Sequence, residues 1–545
     1  MTSSSAPAAS PERATFYFQK AAAAASTWYD KNGNWIGTTP KPIPRERYWL
    51  CFSLYGAGES ALADAIVRST PDRNPGNPHH SFDIFHTNIP ASLLCQHESR
   101  MADDVKRRLE ETMRVGFAIE PGDRRCDFQF HGYNDNMPAK ATMCLVLGGE
   151  RLGDKAAFDH GLWNLRQMRS MLTRRGINSE FNSPTYSPLT IHAMAKIAEY
   201  AKNPEAREIA LKIEERLWLD VAARFHPGTG VVAGPCSRAY FPGLLAHLSN
   251  MASMLWLILG DAVHPSPMEL FEPDFGGLVI YHDGDLPFNI AQMSYFIAGG
   301  YHVPPKALEL LTRKSYPFHA VATLEMGDAG SDRPGLGVRA ETFLEKDFAL
   351  GTANLPFSGA GAYHALYKRV AEVTSFRDVG TVFHRFHIND DVQGIIRTKK
   401  DEEGRTSSGE GFIGPYNEIS LLQSESTVLL ASGPQLSLGG LEEDVKAKPI
   451  SRLNEMLVFP SHFGGADEVR IGARSASGWS GEAAHGEWIG CRRGRLLLAA
   501  RALAYTADLG PVRTTLEKIN NYEVIRTCFY EGPARIFARF ELRRI

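Results

Sequence analysis

Residues 203–221 read NPEAREIALKIEERLWLDV and contain the clearest structural signal in the chain. Asn203 and Pro204 supply a helix N-cap and a first-turn proline. Apolar side chains then recur at every fourth position, at Ile209, Ile213, Leu217 and Val221. Charged side chains occupy the other faces, at Glu205, Glu208, Lys212, Glu214 and Glu215. This spacing predicts an amphipathic helix with one buried face.

Similar helical segments continue to about residue 320. They are Ala14–Trp28, Glu59–Arg68, Pro90–Val115, Ala139–Leu147, Lys155–Arg174, Ser187–Ala201, Gly243–Leu259 and Pro305–Arg313. Loops rich in Gly, Pro, Asn and aromatic residues separate them, for example residues 130–138 and 181–188. Many helices joined by long loops favour an incomplete (α/α) barrel, or toroid, over a plain bundle, whose connections are shorter. Residues 1–13 are expected to form a disordered N-terminal tip.

After about residue 320 the pattern changes to short runs that are β-branched or aromatic. They are Thr381–Ile388, Thr427–Ser432, Glu468–Ala473, Arg495–Arg501 and Arg535–Leu542. In the last run apolar residues alternate with Arg539 and Glu541, which is typical of a half-buried strand. The sequence therefore predicts a multidomain α+β protein. Its toroid domain covers residues 14–320 and an antiparallel β-sandwich domain covers residues 321–545, with a cleft where they meet.

The composition excludes several classes of protein. The 545 residues are 43% hydrophobic, and 59 Lys and Arg against 62 Asp and Glu give a net charge of −3, without the basic excess that nucleic-acid binding needs. The longest apolar run, Met251–Gly260, is far shorter than the roughly 20 residues of a membrane span. Seven cysteines without a CxxC pair, and no recognisable secretory signal, predict reduced thiols and a cytoplasmic protein.

Several common catalytic signatures are absent from the sequence. There is no GxxxxGK[ST], GxSxG or HExxH motif, and no dinucleotide-binding glycine fingerprint follows a strand. His79, His80 and His86 lie close together but lack Cys or carboxylate partners at ligand spacing. We therefore expect neither a cofactor nor a metal site.

Two loops carry the residue types that chemistry requires. The first is Glu180-Phe181-Asn182-Ser183-Pro184-Thr185-Tyr186, in which Asn182 offers a neutral donor or, alternatively, a helix cap. The second runs from Phe225 to Tyr240 and contains His226, Arg238 and Tyr240, although it could also be an ordinary surface turn. Asn182 and Tyr240 are 58 residues apart, about two helices, so both loops should project from one face of the toroid.

The chain resembles the toroid-plus-sandwich polysaccharide lyases in two respects. One is the order and spacing of Asn182, Arg238 and Tyr240, and the other is the order of the two domains. This broad group of lyases includes heparinase II/III-like and alginate-lyase-like enzymes. The resemblance implies that Asn182 and Arg238 neutralise a uronate carboxylate and that Tyr240 transfers the proton. It also implies an assisting histidine, for which we select His226 and the strand residue His384.

Further residues are expected to bind substrate. Glu180 and Tyr186 flank Asn182, and the loop from His131 to Pro138 also precedes a helix, although Asn-Asp turn chemistry explains that loop as well. The candidate substrate-binding residues are Tyr186, Glu180, His131, Asn134, Asp135, Asn136 and His282.

The predicted function is a carbon–oxygen lyase that cleaves an acidic, uronate-containing oligo- or polysaccharide by β-elimination. One alternative is an intracellular isomerase, dehydratase or cyclase of a small metabolite on the same scaffold. A second is an inverting glycoside hydrolase, which needs two carboxylates about 6.5–9.5 Å apart. A third is a non-catalytic carbohydrate-binding protein. The predicted partner is an acidic oligosaccharide or another small molecule, with no nucleic acid and no membrane.

Overall fold

The computed structural model of the protein describes residues 8–71, 87–117, 130, 134–239, 248–264, 266–272, 286–326, 336–353, 363–389, 395–400, 406–411, 419–432, 449–503 and 512–535. Helices dominate the first part of the chain and strands the second, so the fold is mixed α+β, as predicted. None of the helices in these ranges is long and apolar enough to cross a lipid bilayer.

The helices share one apolar core, which their buried faces form. They are α1 (Pro11–Ala25), α2 (Pro44–Ala57), α3 (Ser60–Ser69), α4 (Ile89–His97), α5 (Asp103–Phe117), α6 (Asn136–Met143), α7 (Gly149–Leu152), α8 (Lys155–Arg175), α9 (Ser187–Tyr200), α10 (Pro204–Arg224), α11 (Asn250–Leu259), α12 (Leu286–Ile297) and α13 (Pro305–Thr312). A π-helical turn, Cys144–Gly148, joins α6 to α7. Short 3-10 turns occur at Glu98–Arg100, Gly260–Ala262, Pro267–Phe271 and Phe376–Asp378.

Helix α10 confirms the predicted N-cap. The Asn203 side chain accepts a hydrogen bond from the backbone N–H of Ala206 at 3.0 Å, and Pro204 occupies the first turn. Glu214 differs from the expectation of a solvent-facing charge, because it is fully buried. Its carboxylate accepts hydrogen bonds from the backbone and side-chain nitrogens of His302 at 2.7 and 2.8 Å. Since α10 packs against both α9 and α13, more than one of its faces is buried.

Two differences from the predicted helices have clear physical reasons. The segment Pro90–Val115, predicted as one helix, is divided into α4 and α5 by the turn at Glu98–Arg100. Asp103 and Asp104 begin α5, where acidic side chains favour a helix N-terminus. Helices α2 and α12 were not predicted, because most of their residues are buried and they lack an alternation of polar and apolar faces.

The strands form one large sheet and several smaller ones. They are β1 (Gly176–Ile177), β2 (Phe225–His226), β3 (Val231–Val232), β4 (Phe318–Met326), β5 (Leu336–Leu344), β6 (Phe348–Ala353), β7 (Tyr363–Lys368), β8 (Val379–Ile388), β9 (Ile395–Lys400), β10 (Thr406–Gly411), β11 (Ile419–Ser424), β12 (Thr427–Ser432), β13 (Ile450–Pro460), β14 (Glu468–Ile471), β15 (Arg474–Ser475), β16 (Gly481–Ala483), β17 (Ile489–Arg493), β18 (Leu496–Ala500), β19 (Arg513–Ile519) and β20 (Tyr522–Arg535). The ten-stranded sheet has the order β1-β4-β5-β6-β7-β8-β13-β20-β19-β16, and a four-stranded sheet has the order β15-β14-β17-β18.

Most of the predicted strands are confirmed. β8 contains the predicted run Thr381–Ile388, and β12 coincides with Thr427–Ser432. β14 lies within the predicted run Glu468–Ala473, and β18 lies within Arg495–Arg501. The predicted strand Arg535–Leu542 lies outside the described residues except for Arg535, where β20 ends.

The large sheet is covered on both faces. On one face Val382 and Phe459 pack with Val469 and Leu498 of the four-stranded sheet. On the other face Phe383, Met456 and Val458 pack with Cys236 and Ala239, which belong to the loop after β3. The large sheet therefore supports a loop of the helical part. Closure of the helices into a toroid, a sandwich of the strands and a boundary near residue 320 stay predictions.

Candidate active site

The candidate site lies where three loops of the helical part meet, at residues 134–136, 178–186 and 233–239. Short polar side chains fold the middle loop onto itself. The carbonyl of Glu180 accepts hydrogen bonds from Asn178 Nδ2 at 3.2 Å and from Ser187 Oγ at 2.9 Å. Ser187 Oγ also accepts the backbone N–H of Ser183 at 2.8 Å. The loop thus holds its shape without belonging to a helix or a strand.

Glu180 joins the three loops. Its carboxylate is 0% exposed and accepts the backbone N–H of Asn136 at 2.8 Å and the Asn136 amide at 2.9 and 3.0 Å. It also forms an ion pair with Nη1 of Arg238, whose side chain is 18% exposed. Asn134 Oδ1 accepts both the Asn136 amide at 2.7 Å and Arg238 Nη1 at 3.2 Å. A buried carboxylate paired in this way fixes the position of the guanidinium.

Arg238 is held from a second side. Its guanidinium carbon lies 3.8 Å from the centroid of the Tyr186 ring, a cation–π contact. Its backbone has a φ of +48°, in the left-handed region that arginine rarely adopts. Such a conformation persists only where surrounding contacts enforce it, and it occurs preferentially at functional sites.

Asp135 is a second buried carboxylate next to Glu180. Its Oδ2 accepts the Ser179 hydroxyl at 2.6 Å and the backbone N–H of Glu180 at 3.1 Å. Burial, with a smaller contribution from the Glu180 carboxylate, raises the pKa of Asp135 from 3.8 to about 6. Asp135 therefore holds its proton to a higher pH than an ordinary aspartate does.

The structure brings together six of the predicted site residues: Asn134, Asp135, Asn136, Glu180, Tyr186 and Arg238. Tyr240, His131 and His282 lie outside the described residues, and their roles stay predictions. Within the described residues, no group of three or more His, Cys, Asp or Glu side chains is placed to hold a metal ion.

Asn182 has contacts that differ from its predicted role. Its side chain is buried, and its amide nitrogen donates to the backbone carbonyls of Ala233 at 2.7 Å and Pro235 at 2.9 Å. Both amide hydrogens are therefore used to join two loops and not to neutralise a carboxylate. The reason is that the 233–239 loop packs directly against Asn182, whose φ of +46° is a conformation that asparagine tolerates better than most residues. Asn182 lines a cavity of about 20 Å³ with Cys236, which has room for about one water molecule.

His226 also differs from its predicted role as a proton carrier. Its ring is buried, with Nδ1 bonded to Thr229 Oγ1 at 3.0 Å and Nε2 bonded to the carbonyl of Glu345 at 2.6 Å. Burial lowers the pKa of His226 to about 4. With both nitrogens occupied, His226 connects the β2–β3 hairpin to the strand region.

His384 was predicted to assist catalysis, and strand alternation places it on the sheet face opposite the loop that carries Arg238. Phe383 contacts the loop that carries Arg238. Val382, which shares a face with His384, packs on the four-stranded sheet. His384 pairs there with the Glu455 carboxylate.

The sheet face beneath the Arg238 loop carries three polar residues that sequence reasoning did not select. His364 is buried against Gly234, with Nε2 bonded to Thr381 Oγ1 at 2.7 Å. Burial, with a smaller contribution from the charge of the nearby Arg385, lowers the pKa of His364 to about 3. Asn454 is fully buried beside Met456 in β13. The alternation of side chains along β8 predicts that Arg385 and His384 lie on opposite faces of the sheet. No signal in the sequence indicates which of these two faces meets the helical part.

Comparison of sequences gives limited information. A family described as a domain of unknown function, DUF8769, matches residues 94–294. This range includes all three loops of the candidate site. Comparison with curated proteins gives no match.

Comparison with solved structures gives distant similarities over most of the chain. A chondroitinase AC lyase studied as enzyme–oligosaccharide complexes is 11% identical, covering 98% of this chain and 84% of that one, with a TM-score of 0.38. The chondroitin AC lyase of Streptomyces coelicolor A3, solved with chondroitin sulphate, is 10% identical at coverages of 96% and 95% and a TM-score of 0.32. A glycoside hydrolase is 10% identical at coverages of 89% and 88% and a TM-score of 0.27.

The predicted resemblance to polysaccharide lyases is confirmed at this distant level. TM-scores of this size transfer neither a site nor an activity.

Proposed function

We propose that this protein is a carbohydrate-active lyase that cleaves a uronate-containing oligo- or polysaccharide by β-elimination. The observation that carries the proposal is the position of Arg238. Its guanidinium is paired with buried Glu180, stacked on Tyr186 and located two residues before Tyr240. We expect the Tyr240 phenol to lie beside this fixed cation, as proton abstraction from a weak carbon acid requires.

The proposed reaction begins with removal of the proton at C5 of the uronate. The phenolate oxygen of Tyr240 takes this proton, the C4–C5 double bond forms, and the bond from C4 to the glycosidic oxygen breaks. The same phenol then returns the proton to the leaving oxygen. Because an ordinary tyrosine has a pKa near 10, a neighbouring cation is needed to favour the phenolate. Arg238 supplies that cation in the proposal.

The charge balance of the site suggests a second cation for substrate recognition. Glu180 compensates the charge of Arg238 at a distance, so the pair does not attract an acidic sugar from solution, although at close range the guanidinium still favours a phenolate. Arg385 lies on the sheet face beneath the same loop, where its charge is felt by His364. We propose that Arg385, which is buried beneath the loop, contributes a long-range attraction for the substrate carboxylate, a part that the resemblance assigned to Asn182 and Arg238.

The experiment is to incubate the protein with a panel of uronate oligosaccharides and record the ultraviolet absorbance of a 4,5-unsaturated product. The Tyr240→Phe variant should lose turnover and keep substrate binding. Tyr295→Phe is the matched control, because within the described residues the buried Tyr295 hydroxyl makes no hydrogen bond. Full turnover in Tyr240→Phe would remove Tyr240 from the mechanism.

Inverting glycoside hydrolysis is the second candidate function. The raised pKa of Asp135 favours it, since a general acid must hold its proton near the working pH. Against it, both Asp135 and Glu180 are buried and bonded to neighbouring loops. New reducing ends without ultraviolet absorbance in the same assay would favour the hydrolase.

A further inference from the structure

A cavity of about 360 Å³ lies at one end of the strand region, in a part of the molecule separate from the candidate active site. Three connecting segments form it: the β7–β8 connection, the β13–β14 connection and the β17–β18 turn. The charged residues that line it are Arg369, Arg377, Arg493, Asp378 and Asp467. We call it the basic cavity.

The two carboxylates of the basic cavity are bonded to its own loops. Asp378 Oδ2 accepts the backbone N–H groups of Thr374 and Ser375, both at 3.0 Å. Asp467 Oδ2 accepts the backbone N–H of Gly494 at 2.7 Å. These bonds shape the loops and orient carboxylate oxygens toward backbone donors.

Arg493 forms a wall of the cavity. It is 1% exposed and donates to the Tyr367 hydroxyl at 2.9 Å, to the Glu523 carboxylate and to the carbonyl of Pro460 at 3.2 Å. Its charge is therefore compensated by Glu523, and its donors are occupied.

Arg369 and Arg377 are placed differently. Nη2 of Arg369 donates to the carbonyls of Phe463 and Gly464, and Nε and Nη1 of Arg369 have no hydrogen bond to any described residue. The Arg377 guanidinium lies 5.6 Å from the ring centroid of Phe376 and 5.7 Å from that of Phe463. Among the residues that the structure describes, neither arginine forms a salt bridge with a carboxylate. Two cations with available N–H donors thus line one cavity.

We propose that the basic cavity binds an oxyanion, namely a sulfate, phosphate or carboxylate group, between Arg369 and Arg377. A guanidinium presents parallel N–H donors that match two oxygens of such a group. The aromatic rings of Phe376 and Phe463 hold the planar Arg377 guanidinium against one wall of the cavity. A tetrahedral or planar anion in this position would accept hydrogen bonds from both guanidinium groups.

The position of the cavity predicts a measurable effect of binding. Phe376 is part of the helical core, and Phe463 packs against that core. An anion bound beside these rings would link the three strand connections to the helices. A ligand that binds only the folded state raises the free energy of unfolding by RT ln(1 + L/Kd), where L is the free ligand concentration.

The test is thermal unfolding and titration calorimetry with sodium sulfate, with sodium chloride used to keep ionic strength constant. Saturable binding of sulfate, with a rise in Tm, supports the proposal. The Arg377→Gln variant should raise Kd about tenfold or more, the loss expected for charge-assisted hydrogen bonds. The control is Arg470→Gln on β14, whose exposed side chain pairs with Glu468 and should not affect binding. Equal effects of sulfate and chloride on the wild type would overturn the proposal.

A second pair of variants tests the site without changing an arginine. Val370 lines the cavity and is 42% exposed, so it can be replaced without disturbing the core. Val370→Glu should abolish sulfate binding by repulsion, whereas Val370→Gln should retain it. Unchanged affinity in both Val370→Glu and Arg377→Gln would overturn the site.

The source of the anion is decided by a competition experiment. If a uronate disaccharide displaces sulfate in the wild type and fails to bind Arg377→Gln, the site holds an acid group of a saccharide. If sulfate alone binds, the site holds a free oxyanion. Either result supports an oxyanion site at Arg369 and Arg377, and neither depends on the proposed lyase activity.

Discussion

At the scale of single residues, the candidate site depends on one ion pair. Glu180 is fully buried, and Arg238, in a left-handed backbone conformation, is held by Glu180 and Tyr186. The sequence predicted that these residues share a site, because they lie in two loops a helix pair apart. It did not predict the pairing, because side-chain contacts depend on how the loops fold.

Replacing Glu180 tests this pair. Glu180→Gln leaves the Arg238 guanidinium without a buried counter-charge, so we expect the free energy of unfolding to fall by about 2–4 kcal/mol. Urea denaturation measures the change. The control is Glu205→Gln, which breaks the exposed pair with Arg166 at 2.8 Å and should cost less than about 1 kcal/mol. Equal costs for the two variants would show that the Glu180–Arg238 pair is not effectively buried.

The protonation of Asp135 predicts a pH dependence of stability. Because its pKa is raised in the folded state to about 6, the folded protein binds more protons than the unfolded chain between the two pKa values. The stabilisation is complete below roughly pH 4 and is lost as the pH rises through about 6, a total of about 3 kcal/mol.

Asp135→Asn removes this titration and keeps an oxygen acceptor for Ser179. Relative to the wild type, the variant should therefore become more stable as the pH rises from about 4 to 7. Urea denaturation across this range measures the difference. A constant difference would mean that Asp135 titrates alike in the folded and unfolded states.

At the scale of secondary-structure elements, the position of the Arg238 loop (residues 233–239) depends on its contact with the large sheet. Thr342 Oγ1 in β5 donates to the carbonyl of Gly234 at 2.7 Å. Gly351 in β6 has no side chain, and a Cβ there would lie 2.0 Å from the Gly234 carbonyl carbon. The period-2 pattern predicted several strands, but alternation alone does not identify the face that receives the loop.

Gly351→Ala should therefore displace the loop and its arginine. We expect a loss of at least about 2 kcal/mol in the free energy of unfolding, typical of overpacking, together with reduced turnover in the lyase assay. Gly490→Ala in β17 is the matched control, since its Cβ would meet no atom within 4 Å. A wild-type melting temperature in Gly351→Ala would contradict this contact.

At the scale of the whole molecule, helices and strands are joined through shared core residues. Phe376 comes from the strand region, yet it is buried in the helical core, where it meets Phe463 edge to face at 5.4 Å. Arg174 of α8 likewise pairs with Glu325 of β4 through two hydrogen bonds of 2.8 and 2.9 Å. These contacts predict that the two regions unfold together.

Truncation of Phe376 tests this coupling. Phe376→Ala should lower the free energy of unfolding by about 3–5 kcal/mol, because it leaves a cavity in the core. Circular dichroism and tryptophan fluorescence should still report one coincident transition. Two separate transitions, with only one of them shifted, would show that the regions unfold independently.

The sequence by itself determined the succession of helices and strands, the caps at positions such as Asn203, and the loops that carry the site. Those features depend on local periodicity and local hydrogen bonds, which are visible in neighbouring residues. Only the tertiary structure decided that Asn182 and His226 are bonded inward, that His384 faces away from the Arg238 loop, and that Arg385 lies beneath it. The direction of a side chain at such positions depends on packing between distant segments, and that packing leaves no local pattern in the sequence.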